Sequence, residues 1–139
     1  MAINFFAEDV DKPELKYRSI KKWIASEIEI EACEIGNINY IFCSDEYLLK
    51  LNIEHLNHDY YTDIISFDYC EDNIISGDLY ISIDRVKENS ILFGAGETEI
   101  YRVIIHGVLH LCGYKDDTEA ECEAMRKRED QALLNLDLI

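Results

Sequence analysis

The pattern of hydrophobic and polar positions centres on residues 99–117, where apolar side chains go all the way round a predicted helix. A helix that is hydrophobic on every side is usually buried. The polar side chains of this helix are Glu99, Arg102, His106 and His110. At about 100° per residue they share one stripe roughly 80° wide, which we call the polar seam. Because a buried polar group without a partner costs about 1–3 kcal/mol, we expect the seam to face a metal ion or a wet cleft.

The periodicity along the rest of the chain predicts an α+β fold with the element order β-α-β-α-β-β-α-α-α. Strands are predicted at residues 3–6, 38–43, 64–69 and 77–83. Helices are predicted at residues 14–31, after a cap at Ser44 or Asp45, at 84–92, at 97–112, and from a capping-box pattern at Thr118 to about residue 135. A short polar link joins the third and fourth strands, which is typical of an antiparallel hairpin. We therefore expect a single small mixed β-sheet of about four strands with the helices packed on it.

In the first and last helices the pattern also predicts which residues are buried and which are exposed to solvent. Pro13 suits the first turn of the helix at 14–31, in which Trp23 faces the core and Glu27 is available to solvent. In the last helix the residues expected to face inward are Cys122, Met125 and Leu133, and the residues that make it acidic are Glu119, Glu121, Glu123, Glu129 and Asp130.

The composition predicts one globular domain. The chain has 139 residues, of which 48% are hydrophobic, so we expect a single domain over residues 1–139 with a substantial core. No apolar run approaches the roughly 20 residues of a membrane span, and the start of the chain lacks the basic and apolar regions of a signal peptide. The five cysteines lack C-x-x-C spacing, which is typical of reduced thiols. These features favour a cytoplasmic protein.

The net charge of −16 changes the range of functions to consider. It argues against a general nucleic-acid binder, because such binding depends on neutralising phosphates. It is compatible with cation binding or with a partner that brings its own positive charge. The basic residues cluster at 12–22 and 126–128, which would allow a local basic face.

The histidines of the polar seam predict a metal site. The spacing His106-x-x-x-His110 places two imidazoles about 5–6 Å apart at their Cβ atoms, as in helix-borne zinc sites. Gly113 lets the backbone turn, so that Asp116 or Asp117 can supply a third ligand. Three protein ligands and an open fourth place would make the site catalytic, with a metal-bound water as the nucleophile. Alternatively, residues 116–118 form only a solvated loop and a helix cap.

Gly107 limits the chemistry that such a site could perform. It occupies the position of the general-base glutamate in H-E-x-x-H zinc peptidases. Peptide hydrolysis needs a base that also protonates the amine leaving group. The sequence therefore argues against a peptidase.

Residues 106–114, HGVLHLCGY, resemble the signature of the YbeY family of bacterial endoribonucleases and rRNA maturation factors. The resemblance extends over nearly the whole chain, through Leu51-Asn52, Thr62-Asp63, Ser66-Phe67, Gly77-Asp78, Glu121 and Met125. It implies a zincin-like α+β hydrolase that depends on Zn²⁺ and cleaves single-stranded RNA. It further implies a role in 3′-end maturation of 16S rRNA and in ribosome quality control. The partners would be ribosomal RNA and the small ribosomal subunit with its associated proteins, in the cytoplasm.

Carried over to this chain, the resemblance implies that His106 and His110 are two of the three metal ligands. Asp116 stands where the family has a third histidine. A carboxylate ligand makes the ion a weaker Lewis acid, so a divalent ion other than zinc stays open. Asp63 and Asp78 are weak candidates for the general base or for orienting a ligand, although either could instead make ordinary hydrogen bonds at a strand end.

Leu56 falls where the family usually has an arginine. If that arginine binds phosphate, this chain needs another cation for the role. The candidates are Lys115, Arg102 and Arg85.

Two alternatives to a ribonuclease remain open at this stage. One is a metallohydrolase that acts on a non-RNA substrate, which the acidic charge allows. The other is a ribosome-associated assembly factor whose metal is structural. If the chain does cleave RNA, its acidic surface favours a substrate presented on the ribosome, where other proteins supply positive charge.

Overall fold

The fold is α+β, as predicted, and the computed structural model describes residues 2–94 and 96–136. The strands among these residues are β1 (Ala2–Ala7), β2 (Glu34–Cys43), β3 (Ile64–Asp68) and β4 (Ile74–Ser82). The helices are α1 (Tyr17–Ile30), α2 (Asp45–Leu56), α3 (Ile83–Leu92), α4 (Thr98–Leu111) and α5 (Glu119–Leu134). Their order is the predicted one. Met1, Ala95 and residues 137–139 of the predicted domain 1–139 lie outside the described residues.

The strands form one mixed sheet in the order β1-β2-β4-β3. β1 pairs in parallel with β2, and β2 with β4, whereas β3 and β4 form the predicted antiparallel hairpin. Leu79 of β4 is buried in the main core, and its neighbours Asp78 and Tyr80 point to the other face of the sheet. On that face Tyr80 stacks on Tyr47 of α2, with ring centroids 6.3 Å apart. The main core, which contains α4, and α2 therefore lie on opposite faces of the sheet.

α4 lies in the middle of the main core, as its all-round hydrophobicity predicts. Ile104 and Leu109, which are about 140° apart around the helix, are each 0% exposed. Two glycines let the helix approach the sheet closely: Gly107 on α4 packs against side chains of β3 and β4, and Gly77 on β4 packs against Leu111. Within the described ranges, none of the helices has the length and the apolar character that crossing a membrane requires.

A buried ionic cluster joins α1 to α5. Glu27, which we expected to be available to solvent, is 0% exposed, so that prediction is wrong. It accepts hydrogen bonds from Arg128 at 2.8 Å and from Asn135 at 3.1 Å, and these partners compensate its burial. The core position predicted for Trp23 is confirmed, and its indole N–H donates to the Ala132 carbonyl at 2.7 Å.

Two predictions about the ends of helices are wrong, although the capping box at Thr118 is confirmed. α1 begins at Tyr17 rather than at residue 14. Residues 11–16 are not helical, and the Pro13 carbonyl accepts a hydrogen bond from the Tyr17 hydroxyl. Cys122 is exposed rather than inward, because the first turn of α5 borders a cavity instead of the core. Met125 is buried as expected, and Leu133 is half-buried.

Gly77→Ala should lower the free energy of unfolding by about 1–3 kcal/mol. The added Cβ would lie 2.6 Å from the backbone carbonyl oxygen of Phe67, which cannot move without disturbing the β3–β4 pairing. Gly107→Ala is the matched control: its Cβ would meet only the side-chain ends of Ile64 and Leu79, and alanine favours the helix, so its cost should be smaller. Urea unfolding followed by circular dichroism measures both, and equal losses would contradict the prediction.

Candidate metal centre

α4 and the turn that follows it bring three potential ligands together. His106 and His110 lie one turn apart on the polar seam, with ring centroids 5.0 Å apart. Gly113, at φ 110°, adopts a backbone conformation that favours glycine and reverses the chain after the helix. Asp116 then returns to the rings: its Oδ2 lies 3.4 Å from Nε2 of His106, and its Oδ1 lies 3.3 Å from Nε2 of His110. We call these three side chains the His–Asp cluster.

The His–Asp cluster fits the dimensions of a metal site. One ligand atom from each side chain lies within 4.8 Å of the other two. Ligand atoms around a tetrahedral ion at about 2.0–2.1 Å lie about 3.3 Å apart, and each imidazole Nε2 lies at a similar distance from one of the two oxygens of Asp116. The side chains are 21%, 33% and 37% exposed, so the cluster is open on one side. Within residues 2–94 and 96–136 it is the one group of His, Cys, Asp or Glu with this spacing, and Asp117 is not part of it.

Glu129 of α5 holds His106 from the opposite side of the ring. Its Oε2 lies 2.6 Å from Nδ1 of His106, and its Oε1 accepts a hydrogen bond from Arg102 at 2.8 Å. With Nδ1 bound to a carboxylate, Nε2 is left to face Asp116. The polar seam was expected to face a metal ion or a wet cleft, and its four side chains line two open cavities. Glu129, which the sequence analysis counts only among the residues that make the last helix acidic, is 5% exposed.

The helical spacing of α5 contains a signal for the inward position of Glu129, which the sequence analysis did not use. It lies four residues after Met125 and three before Ala132, both of which are buried, so all three share one face of α5. A glutamate on the inward face of a helix needs a cationic or hydrogen-bonded partner. That partner is Arg102 together with His106, and both lie on a different helix.

Burial and the surrounding carboxylates act in opposite directions on His106. Burial favours the neutral imidazole and lowers its pKa, but the hydrogen bond and charge of Glu129, with the charges of Asp63 and Asp116, raise the pKa above its ordinary value. The pKa of Asp63 is also raised, mainly because burial penalises its charged form. Metal binding would require His106 to lose a proton, so affinity should rise with pH.

The structure separates the two aspartates that were candidates for the general base. Asp63 precedes β3, and its side chain lines the cavities on both sides of the His–Asp cluster. Asp78 points to the opposite face of the sheet and accepts a hydrogen bond from the Asn39 side chain at 3.1 Å. Asp63 is therefore placed near the cluster, and Asp78 is not.

Two of the three cations proposed for phosphate are engaged elsewhere. Arg102 pairs with Glu129 at 2.8 Å and with Asp130 at 2.6 Å. Arg85 pairs with Asp45 at 2.8 Å, and its guanidinium lies 5.3 Å from the ring centroid of Tyr61. Lys115, the residue before Asp116, is exposed.

Two cavities meet at the His–Asp cluster, where both are lined by Asp63, His106 and Asp116. The α3–α5 cavity, of about 360 Å³, is otherwise lined by side chains of α4, α5 and the end of α3. The β3 cavity, of about 380 Å³, runs along β3 and includes Leu56, which is 43% exposed. Arg126 lines the α3–α5 cavity and was not among the predicted phosphate ligands, although the basic run at 126–128 was the available signal.

Comparison with known proteins gives consistent matches over nearly the full length. The profile of the family described as Endoribonuclease YbeY matches residues 4–137. The Endoribonuclease YbeY of Porphyromonas gingivalis is 49% identical over 135 residues, which cover 96% of this chain and 89% of that protein. That of Bacteroides thetaiotaomicron is 47% identical over 134 residues, covering 96% and 98%. The solution structure of TM1509 from Thermotoga maritima superposes with a TM-score of 0.68 at 25% identity, covering 96% of this chain and 91% of that chain.

In the metal-free protein, Glu129→Gln should lower the pKa of His106, because the amide lacks the charge that raises it while burial continues to lower it. A raised histidine pKa stabilises the fold below the unfolded-state pKa, and this contribution is lost as pH rises through the folded-state pKa. The stability difference from the wild type should therefore be largest below about pH 6.

Asp130→Asn is the matched control for this prediction. It removes the more exposed partner of Arg102 and leaves the 2.6 Å contact between Glu129 and His106 intact, so the pKa of His106 should move less. Titration of the imidazole signals by NMR measures both variants. An unchanged pKa of His106 in Glu129→Gln would show that Glu129 does not control this ring.

Proposed function

This chain belongs to the YbeY family of endoribonucleases, and from that premise we propose that it cleaves single-stranded RNA with one divalent ion held by His106, His110 and Asp116. Its activity as an RNA hydrolase in rRNA processing follows from membership of the family. The assignment of the ligands rests on the structure of this chain. The observation that carries it is the His–Asp cluster, whose ligand atoms lie within 4.8 Å of one another beside two cavities.

Three donors with one open side favour a catalytic ion over a structural one. Structural zinc sites are closed by four protein ligands, whereas catalytic sites keep a place for water or substrate. This supports the enzyme over the alternative of an assembly factor with a structural metal. It also fits the names of the relatives, which describe endoribonucleases.

Zn²⁺ is the ion we propose for this site. Two imidazoles and one carboxylate form a ligand set that zinc hydrolases use, and the nitrogen–oxygen separations suit tetrahedral geometry. The carboxylate of Asp116 also suits harder divalent ions, which elemental analysis of the purified protein would distinguish. When bound, such an ion supplies a Lewis acid and an activated water nucleophile for phosphodiester hydrolysis.

The residues of this chain would have separate tasks in that reaction. His106 and His110 present Nε2 to the ion, and Glu129 keeps Nδ1 of His106 engaged so that the ring cannot turn away. Asp63, at the junction of the two cavities, is placed to hold a proton at a carboxylate oxygen. Burial raises the pKa of Asp63, which brings it closer to the range of a useful general base.

We place the substrate on ribosomal particles in the cytoplasm. The net charge of −16 opposes long-range attraction of free RNA. Ribosomal RNA is held together with basic proteins, which would offset this repulsion. Small-subunit rRNA is therefore the substrate that the charge of this chain best allows.

Replacement of Asp116 tests the ligand set. Asp116→Ala should weaken metal binding at least about tenfold, whereas Asp116→His should retain or strengthen it, because a third imidazole would replace the carboxylate. Asp117→Ala is the matched control, since Asp117 lies outside the cluster, and it should leave the metal content unchanged. Elemental analysis after dialysis against a graded chelator measures all three. Loss of metal in Asp117→Ala, with retention in Asp116→Ala, would reassign the third ligand.

His110→Ala should abolish cleavage of single-stranded RNA while leaving the protein folded, because His110 is 33% exposed and would contribute to the ion rather than to the core. Cleavage is measured on naked rRNA fragments and on immature small-subunit particles, and folding by circular dichroism. The wild type should cleave the particle-bound RNA faster.

Other outcomes of the His110→Ala experiment would change specific parts of the proposal. Unfolding on loss of the metal would indicate a structural ion. Unchanged cleavage would exclude His110 from the active site. Equal rates of the wild type on naked and particle-bound RNA would contradict presentation by the ribosome.

A further inference from the structure

We propose that the α3–α5 cavity is a nucleotide subsite, in which Arg126 binds an RNA phosphate and Phe93 stacks on a base, next to the bond cleaved at the His–Asp cluster. This inference rests on the proposed function and assigns residues that the family resemblance did not supply. The cavity has a volume of about 360 Å³ and is continuous with the cluster through His106 and Asp116. That volume lies within the range of about 300–1,000 Å³ that small-ligand sites occupy.

The need for a cation in this cavity follows from the charges around the cluster. The side chains lining the β3 cavity include Asp63 and Asp68 but neither lysine nor arginine. Of the two cavities, only the α3–α5 cavity therefore has a guanidinium on its wall that could meet an RNA phosphate. Two arginines line that cavity, Arg102 and Arg126.

Arg126 is the arginine that is available. Arg102 is held by two carboxylates at 2.8 and 2.6 Å. Within the described residues Arg126 has no carboxylate partner within 4 Å, and its charge acts at longer range on the buried Glu99. An exposed guanidinium without an ion pair, on the wall of a cavity, suits an incoming phosphate.

The carboxylates that line the same cavity are Asp63, Glu99, Asp116 and Glu129. Glu129 is bound by Arg102 and His106, and Asp116 faces both imidazoles. Burial and the charge of Asp63 raise the pKa of Glu99, and the charges of Arg102 and Arg126 oppose this effect. The divalent ion proposed at the His–Asp cluster would offset further negative charge from Asp63 and Asp116, so a phosphate could still approach Arg126.

Phe93 and Asn89 provide contacts for a base. Phe93 follows the last residue of α3, lines the cavity and is 66% exposed, which is unusual for a phenylalanine. Asn89 lies one turn earlier on α3 and lines the same cavity, so its amide can reach the edge of a base stacked on the ring. An aromatic face is sequence-tolerant, as an endonuclease for single-stranded RNA requires.

The phosphate contact is tested by binding of a short fluorescent oligouridylate to the full-length, metal-loaded protein, measured before cleavage by stopped-flow anisotropy at several salt concentrations. Arg126→Ala should weaken binding about tenfold and reduce the slope of log affinity against log salt by about 0.7. The matched control is Lys127→Ala, which removes a neighbouring exposed charge that does not line the cavity. It should change affinity by less than about twofold.

The stacking contact is tested with the same protein and two ligands. Phe93→Ala should weaken binding of oligouridylate about tenfold but leave binding of an abasic oligomer, which keeps the phosphates, unchanged. Leu92→Ala is the control, because Leu92 is 74% exposed and does not line the cavity. Arg126→Ala should weaken both ligands, so the two contacts are distinguishable.

The outcomes separate this inference from the proposed function. If the wild type cleaves RNA but Arg126→Ala and Lys127→Ala bind alike, the subsite is wrong and the function stands. If Phe93→Ala weakens the abasic oligomer as much as oligouridylate, Phe93 does not stack on a base. If the wild type does not cleave RNA but the variants bind as expected, the subsite stands and the function fails. Thermal unfolding confirms that each variant is folded, as expected for exposed positions.

Discussion

A helix that is apolar on every side except one narrow stripe must find polar partners for that stripe inside the protein. The sheet, α1 and α3 pack on the apolar sides of α4, and Gly77 and Gly107 allow the close approach to the sheet. This arrangement leaves the polar seam facing α5 and the loop after the helix. Glu129 and Asp116 fill these two places, so they hold His106 between two carboxylates. The packing that buries α4 therefore also orients the imidazole of His106, whose Nε2 faces Asp116 and the cavities.

Local ion pairs neutralise part of the acidic charge near this site. Two of the glutamates buried among the described residues have arginine partners: Glu129 pairs with Arg102, and Glu27 pairs with Arg128. Such pairing makes burial of the charges tolerable, and it also removes their field from the cavities. The net charge therefore governs the long-range electrostatic interaction of the whole molecule with RNA, whereas the local ion pairs determine the electrostatic potential at a bound phosphate.

Most predictions that depended on one segment at a time are confirmed, and the exceptions are the start of α1 and the position of Cys122. The order of elements, the hairpin of β3 and β4 and the capping box at Thr118 are confirmed, because each depends on spacing within a few residues. Predictions about which polar residues are exposed failed at Glu27 and were incomplete at Glu129. A glutamate is buried only if another element supplies its partner, and Arg128 lies 101 residues along the chain from Glu27. Helical spacing places both glutamates on the inward faces of their helices, but it does not show which residue of another element pairs with them.

The sequence by itself determined the pair of imidazoles and the turn at Gly113 that lets a carboxylate return to them, because both are properties of one short continuous segment. It also determined the family, which is indicated by that segment together with short motifs elsewhere in the chain. Only the tertiary structure decided which groups surround the imidazoles. In the folded chain Arg102 pairs with a glutamate of α5, Asp78 points to the far face of the sheet, and Arg126 lines a cavity. The physical reason is that helical spacing fixes neighbours within about one turn, while contacts between elements depend on how separate segments pack.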